Sequence, residues 1–166
     1  MELKIYQQEA LNTLTSFCKN YKESSGKVEE AFNNTLKNSE QFSEPYEPYL
    51  KVKESTAPYI CIRIPTGGGK TLIAAKSLKP VIEELYENDK TFLVIWLAPK
   101  DIIVNQTIKA LKDPKHPYRK AIDEDFPSTS INVMKLKDAL TNTFNKKTDI
   151  TILVGSMQSF NVGNDD

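Results

Sequence analysis

The segment Pro65-Thr66-Gly67-Gly68-Gly69-Lys70-Thr71 restricts this chain more than any other, because it stands between two stretches of opposite periodicity. Before it runs Tyr59-Ile60-Cys61-Ile62-Arg63-Ile64, a β-branched run that reads as a strand. After it, Leu72, Ala75, Leu78, Ile82 and Leu85 recur at helical spacing, with Pro80 predicted to kink or restart the helix. Three successive glycines between strand and helix let the backbone turn tightly and present its N–H groups with no Cβ in the way. A lysine and a threonine at the helix start then supply a cation and a hydroxyl, a combination suited to a polyphosphate and its metal.

Further apolar runs follow at Thr91 to Leu97, Ile131 to Met134 and Ile150 to Val154. Helical patterns over Asp101 to Lys112, where Val104, Ile108 and Leu111 share a face, and over Leu136 to Phe144 separate them. Apolar strands alternating with helices predict an α/β fold with a parallel sheet covered by helices on both faces. Upstream, Leu11, Leu14, Cys18 and Tyr21 predict an amphipathic helix over Gln7 to Tyr21. Residues 22–57 are polar and lose all periodicity, so they read as a connection or insertion with a helical piece near Val28 to Leu36. The proline-bearing segment 113–128 reads as a surface connection.

Composition narrows the function. The 166 residues carry 22 Lys plus Arg against 22 Asp plus Glu, so any nucleic-acid site must be a local patch rather than a global field. The cluster Lys109, Lys112, Lys115, Arg119 and Lys120 is followed by Asp123, Glu124 and Asp125, which fits a solvated face. Cys18 and Cys61 are too few for a disulfide framework or a zinc site, and His116 has no partner at metal-ligand spacing. The N-terminus lacks a signal-peptide pattern, and the longest apolar stretch, Phe92 to Ala98, falls far short of the roughly 20 residues of a membrane span. A cytoplasmic chain is the expectation.

The spacing G-x-x-x-x-G-K-[ST] would place its leading glycine at Ile64. Ile64-Pro65-Thr66-Gly67-Gly68-Gly69-Lys70-Thr71 instead resembles motif I of superfamily 2 helicases and translocases, where a Pro-Thr-Gly run replaces that glycine. Leu3-Lys4-Ile5-Tyr6-Gln7-Gln8-Glu9-Ala10 is similar to the L-R-x-Y-Q-x-E-A opening of these enzymes. Leu97-Ala98-Pro99-Lys100 with Val104-Asn105-Gln106 resembles motif Ia, and Ser156-Met157-Gln158-Ser159-Phe160 resembles the T-x-Q-S-F segment that follows it. Within the superfamily the chain looks most like the R subunits of type III, or type I, restriction enzymes.

The resemblance implies an incomplete P-loop NTPase domain of the RecA-like kind over residues 1–166. It implies ATP and Mg²⁺ as cofactors, held by Gln7 at adenine, by Thr66, Gly67, Gly68, Gly69 and Lys70 at the phosphates, and by Thr71 at the metal. It implies DNA, with RNA as the alternative track, along Pro99, Lys100, Gln106, Ser156 and Gln158. The further partners it implies are a second RecA-like domain and a methyltransferase or specificity subunit. The family's D-E-x-H acids have no counterpart after an apolar strand, and Asp165-Asp166 follow a loop-like stretch. Nucleotide binding without turnover by this chain alone is therefore the expectation, because loss of an arginine finger alone costs about 10³ to 10⁵ in rate. The alternative is a stand-alone P-loop module that binds a nucleotide or a partner and catalyses nothing.

Overall fold

The computed structural model describes residues 2–37, 49, 57–86, 91–139 and 149–160, and the chain divides into two compact units, residues 1–87 and 88–166.

The first unit is helical. Helix α1 (Ile5–Glu23) buries Gln7, Leu11, Leu14, Phe17 and Cys18, so the predicted stripe holds, with Phe17 as an added member. It ends where Ser25 and Gly26 take left-handed backbone angles and the Gly26 N–H donates to the Tyr21 carbonyl. The chain then reverses into α2 (Val28–Lys37), at the helical piece read within the polar span. Leu14, Phe17, Cys18 and Ala31 form the core, flanked by Phe32 of α2 and by Val81 and Leu85 of α4 (Leu78–Leu85). A side-chain hydrogen bond from Asn20 to the Thr35 hydroxyl at 2.9 Å fixes α2 on α1.

The helix after the glycines breaks at Ser77, leaving α3 (Lys70–Lys76) and α4 as separate pieces. Pro80 explains the restart: it sits in the first turn of α4, where its missing N–H leaves no intrahelical bond unmade. The run Tyr59 to Ile64 corrects the sequence reading, since it forms no strand. A strand exists only through a ladder with a neighbour, and no described residue forms a backbone ladder with this run; the Tyr59 N–H donates to the Tyr49 hydroxyl instead. Tyr59 to Arg63 are accordingly exposed, Tyr59 to 66%, and Ile64 is half-buried.

The second unit carries a three-stranded parallel sheet in the order β1-β3-β2, made of β1 (Phe92–Ala98), β2 (Ile131–Lys135) and β3 (Ile150–Ser156). Helix α5 (Asp101–Lys112) buries Val104, Thr107, Ala110 and Leu111. The segment read as a surface connection instead contains α6 (Pro117–Asp125), with Ala121 and Ile122 buried. Its prolines were misleading because Pro117 occupies the first helical position, after His116, whose Nδ1 accepts from the Tyr118 N–H. The short α7 (Leu136–Ala139) packs Leu136 and Ala139 on Leu153; the rest of the helical piece read to Phe144 lies outside the described residues.

Strand β3 is buried at every residue, as expected of a central parallel strand, but β1 is an edge and only half covered. Leu93, Ile95 and Leu97, in register with Thr151, Leu153 and Gly155, are 58%, 50% and 41% exposed. At the opposite end of the strands, the Asp149 carboxylate accepts from both the amide and the hydroxyl of Ser130, and its own amide donates back to that hydroxyl. This clasp sets the register at which β2 and β3 begin.

Two measurements follow from these environments. Burial, with the Glu84 carboxylate adding to it, pushes the Cys18 thiol up to about 11, whereas Cys61 is exposed. A thiol titration of the native chain near neutral pH should therefore count one reactive cysteine of the two, with the second appearing only in denaturant. The Ser130 donors hold the Asp149 carboxyl below its ordinary value. A carboxyl lowered in the folded state adds stability above its unfolded pKa of about 3.9 and loses it as pH falls through the folded value. Acid unfolding curves of Asp149→Asn should lack that increment, and curves superimposable on the parent's would show that the clasp contributes nothing.

Candidate functional site

The first unit shapes the glycine loop from its own backbone. Gly67 and Gly69 have φ of +76° and +80°, the left-handed region that side chains other than glycine rarely enter. Between them the Gly68 N–H closes a turn onto the Pro65 carbonyl at 3.0 Å. Gly68 is also required for space, since an added Cβ would lie 2.6 Å from Ile64 and 2.9 Å from the Pro65 oxygen. Gly69 starts α3 and brings Lys70 and Thr71 to its first turn.

Helix α1 braces this loop. The Gln7 side chain is buried, its Nε2 donates to the Gly68 carbonyl at 2.8 Å, and its Oε1 accepts from the Lys4 N–H at 2.9 Å. The Tyr6 hydroxyl donates to the same Gly68 carbonyl at 3.0 Å. Both ends of the Gln7 amide are thus engaged within the chain, one at the loop and one at the α1 N-terminus, where it makes half of a capping box; Lys4 has no side-chain acceptor to complete it. Tyr6 was not singled out from the sequence, although the Tyr6-Gln7 pair in one helical turn was the available signal.

Lys70 extends back along the loop, its Nζ donating to the Pro65 carbonyl at 2.9 Å in an exposed position. Thr66 and Gly67 are exposed and Thr71 is half-buried. Gln7, Gly68, Gly69 and Lys70 are therefore joined in one hydrogen-bonded and packed group, with Thr66, Gly67 and Thr71 contiguous in the same loop.

In the second unit the remaining predicted residues lie in the segments that close or follow β1 and β3. Pro99 and Lys100 follow β1, with Lys100 preceding α5, and both are exposed; Gln106 on α5 and Gln158 after β3 are exposed too. Ser156, the last residue of β3, is 2% exposed. It lines a cavity of about 140 Å³ together with Asp101 and Asn105 of α5 and with Lys135 and Lys137. Pro99, Lys100, Gln106 and Gln158 do not line this cavity. Both lysines escaped the sequence reading because they fall at a strand-to-helix junction outside every motif. Among the described residues no group of His, Cys, Asp and Glu could hold a metal ion, and no helix is long and apolar enough to cross a membrane.

A parallel sheet with covering helices, joined in one chain to a loop of this kind, defines an incomplete RecA-like domain of the P-loop class. The sequence family described as type III restriction enzyme, res subunit, matches residues 1–165, and the chain belongs to that family. It is a helicase-like family whose members generally use ATP and Mg²⁺. Searches of curated proteins and of solved structures gave no match.

Loop geometry makes a graded prediction. Gly69→Ala combines a left-handed φ with a Cβ 2.6 Å from Gln7 Nε2, whereas Gly67→Ala has the same backbone strain and open space around it. By urea unfolding, Gly67→Ala should cost about 1–2 kcal/mol and Gly69→Ala more. Adding Gln7→Ala to Gly69→Ala should remove the excess as a non-additive coupling. Equal costs for the two alanines would contradict this packing.

Proposed function

We infer that this chain is the ATP-binding N-terminal part of an ATP-dependent DNA helicase or translocase, the R subunit of a type III restriction enzyme. One observation carries the reading: an exposed loop with left-handed Gly67 and Gly69 whose lysine has, among the described residues, only the loop's own Pro65 carbonyl as partner. A lysine ammonium resting on an exposed neutral carbonyl is easily recruited by a phosphate, which brings a full opposite charge to the same donor.

The donor set fits a Mg²⁺ nucleotide. The N–H groups of Gly67, Gly69 and Lys70 would hold phosphate oxygens, joined by that of Gly68 only if its turn onto Pro65 opens, Lys70 would leave Pro65 to neutralise the β- and γ-phosphates, and the Thr71 hydroxyl would ligate Mg²⁺. When bound, Mg²⁺ supplies charge neutralisation across the phosphates. Gln7 would serve adenine only by giving up a bond that it now makes within the chain. Pro99, Lys100, Gln106, Ser156 and Gln158 are the proposed contacts to the DNA strand, where side-chain and backbone donors position phosphates without reading bases.

Turnover demands more than this set. The one Asp-Glu pair among the described residues, Asp123-Glu124, lies in helix α6, where Asp123 pairs with Arg119 at 2.7 Å, so it is not placed at a strand end to hold a metal. The chain alone is therefore a nucleotide binder that awaits catalytic groups from elsewhere. In a thermal melt, Mg·ATP at 100 times its dissociation constant should stabilise the parent by about 2.7 kcal/mol. Lys70→Ala should abolish that shift, and neither protein should release phosphate at a steady rate. A parent melt unmoved by saturating Mg·ATP, or steady ATP hydrolysis lost in Lys70→Ala, would defeat the reading.

A further inference from the structure

The two donors that α1 places on the Gly68 carbonyl do more than hold the loop still. In a planar trans peptide the C=O and the N–H point in opposite directions. A Gly68 carbonyl drawn toward Tyr6 and Gln7, at 3.0 and 2.8 Å, therefore turns the Gly69 N–H away from α1. Among the described residues that N–H has no acceptor, and Gly69 is half-buried where Gly68 is buried. One end of the peptide is saturated by the protein, and the other is offered outward next to the exposed Lys70.

The same bonds decide what Gln7 can read. Its Oε1 accepts from a backbone N–H, which can only donate, and its Nε2 donates to a carbonyl, which can only accept. The amide cannot flip without losing both. Gln7 is 5% exposed, and it packs so closely on the loop that a Cβ at Gly69 would lie 2.6 Å from its Nε2. To meet an adenine edge the side chain would have to leave this seat, and the Gly68 carbonyl would keep Tyr6 alone. Reading a base and ordering the loop thus compete for one amide, and its burial assigns it to the loop. In the same helical turn Ile5 is 80% exposed, and it carries no group that could tell one base from another.

We propose that Tyr6 and Gln7 are positioning residues that aim the Gly69 N–H at a phosphate, and that the loop takes the triphosphate of a Mg²⁺ nucleotide whatever base it carries. This rests on the nucleotide-binding reading given above and departs from the motif resemblance at one point. Gln7, implied there as the adenine reader, acts on the phosphates through the loop. Tyr6 shares that role, which no motif assigns to it. Loss of either donor leaves the Gly68 carbonyl with one bond and frees the peptide to rotate, so the phosphate contact weakens with no change at the base.

Isothermal titration calorimetry of the chain with Mg·ATP, Mg·GTP and Mg·tripolyphosphate, which has no base, tests it, with urea melts showing that each variant is folded. The constants for Mg·ATP and Mg·GTP should lie within about tenfold of each other, where a site built to hydrogen-bond its ligand rejects the wrong one by about 10⁴ to 10⁵. Tyr6→Phe keeps the ring and removes one donor, so it should weaken all three ligands by the same factor, roughly two- to tenfold. Gln7→Ala should likewise weaken all three alike. A preference for Mg·ATP over Mg·GTP beyond that range, or a Gln7→Ala loss confined to Mg·ATP, would overturn the proposal. So would a Tyr6→Phe chain whose urea midpoint falls while every dissociation constant stays unchanged. If Gln7→Ala does not fold, Tyr6→Phe and the parent's own ratio of the two nucleotides still decide. A parent that binds none of the three defeats the nucleotide site and this inference with it, whereas one that binds Mg·ATP alone keeps the site and overturns only its blindness to the base.

Discussion

A single carbonyl, that of Gly68, takes hydrogen bonds from both the Tyr6 hydroxyl and the Gln7 amide, and the geometry of the loop depends on it. A glycine-rich segment loses more conformational entropy on ordering than any other, so three consecutive glycines need an outside restraint to hold one shape. Helix α1 provides it from two successive residues of its first turn. That helix is itself fixed by the core of Leu14, Phe17, Cys18 and Ala31. Order thus passes from an apolar stripe, through two polar side chains, to a backbone that could not keep it alone.

The second unit is organised differently. Its central strand is covered on both faces, and everything polar is displaced to the two ends of the sheet. At the amino end the Ser130–Asp149 clasp satisfies its groups locally. At the carboxyl end Lys135 and Lys137 are left unpaired among the described residues. The contrast separates a polar cluster that serves the fold from one that does not.

Much of this was legible in the sequence. Helical stripes at α1 and α5, the parallel class of the sheet and the glycine loop all follow from periodicity and from residues with few conformational alternatives. Three features did not follow. Tyr59 to Ile64 has a strand's composition, but composition cannot supply the neighbour that a ladder needs. Helix α6 was hidden by prolines whose meaning depends on one position of register, harmless at the first helical residue and disruptive further in. The engagement of Gln7 with Gly68 joins residues 61 positions apart, a separation that no local pattern reports.

The exposed side chains of Leu93, Ile95 and Leu97 carry a different lesson, about what sets residue identity. Full burial of each would return about 1.5–3 kcal/mol, and at half exposure a large part of that is unrealised. Polar β-formers such as threonine would serve the folding of residues 88–166 nearly as well at these positions, and would spare the unit an adhesive edge. The apolar identity of this face is thus a demand that the unit does not generate within itself.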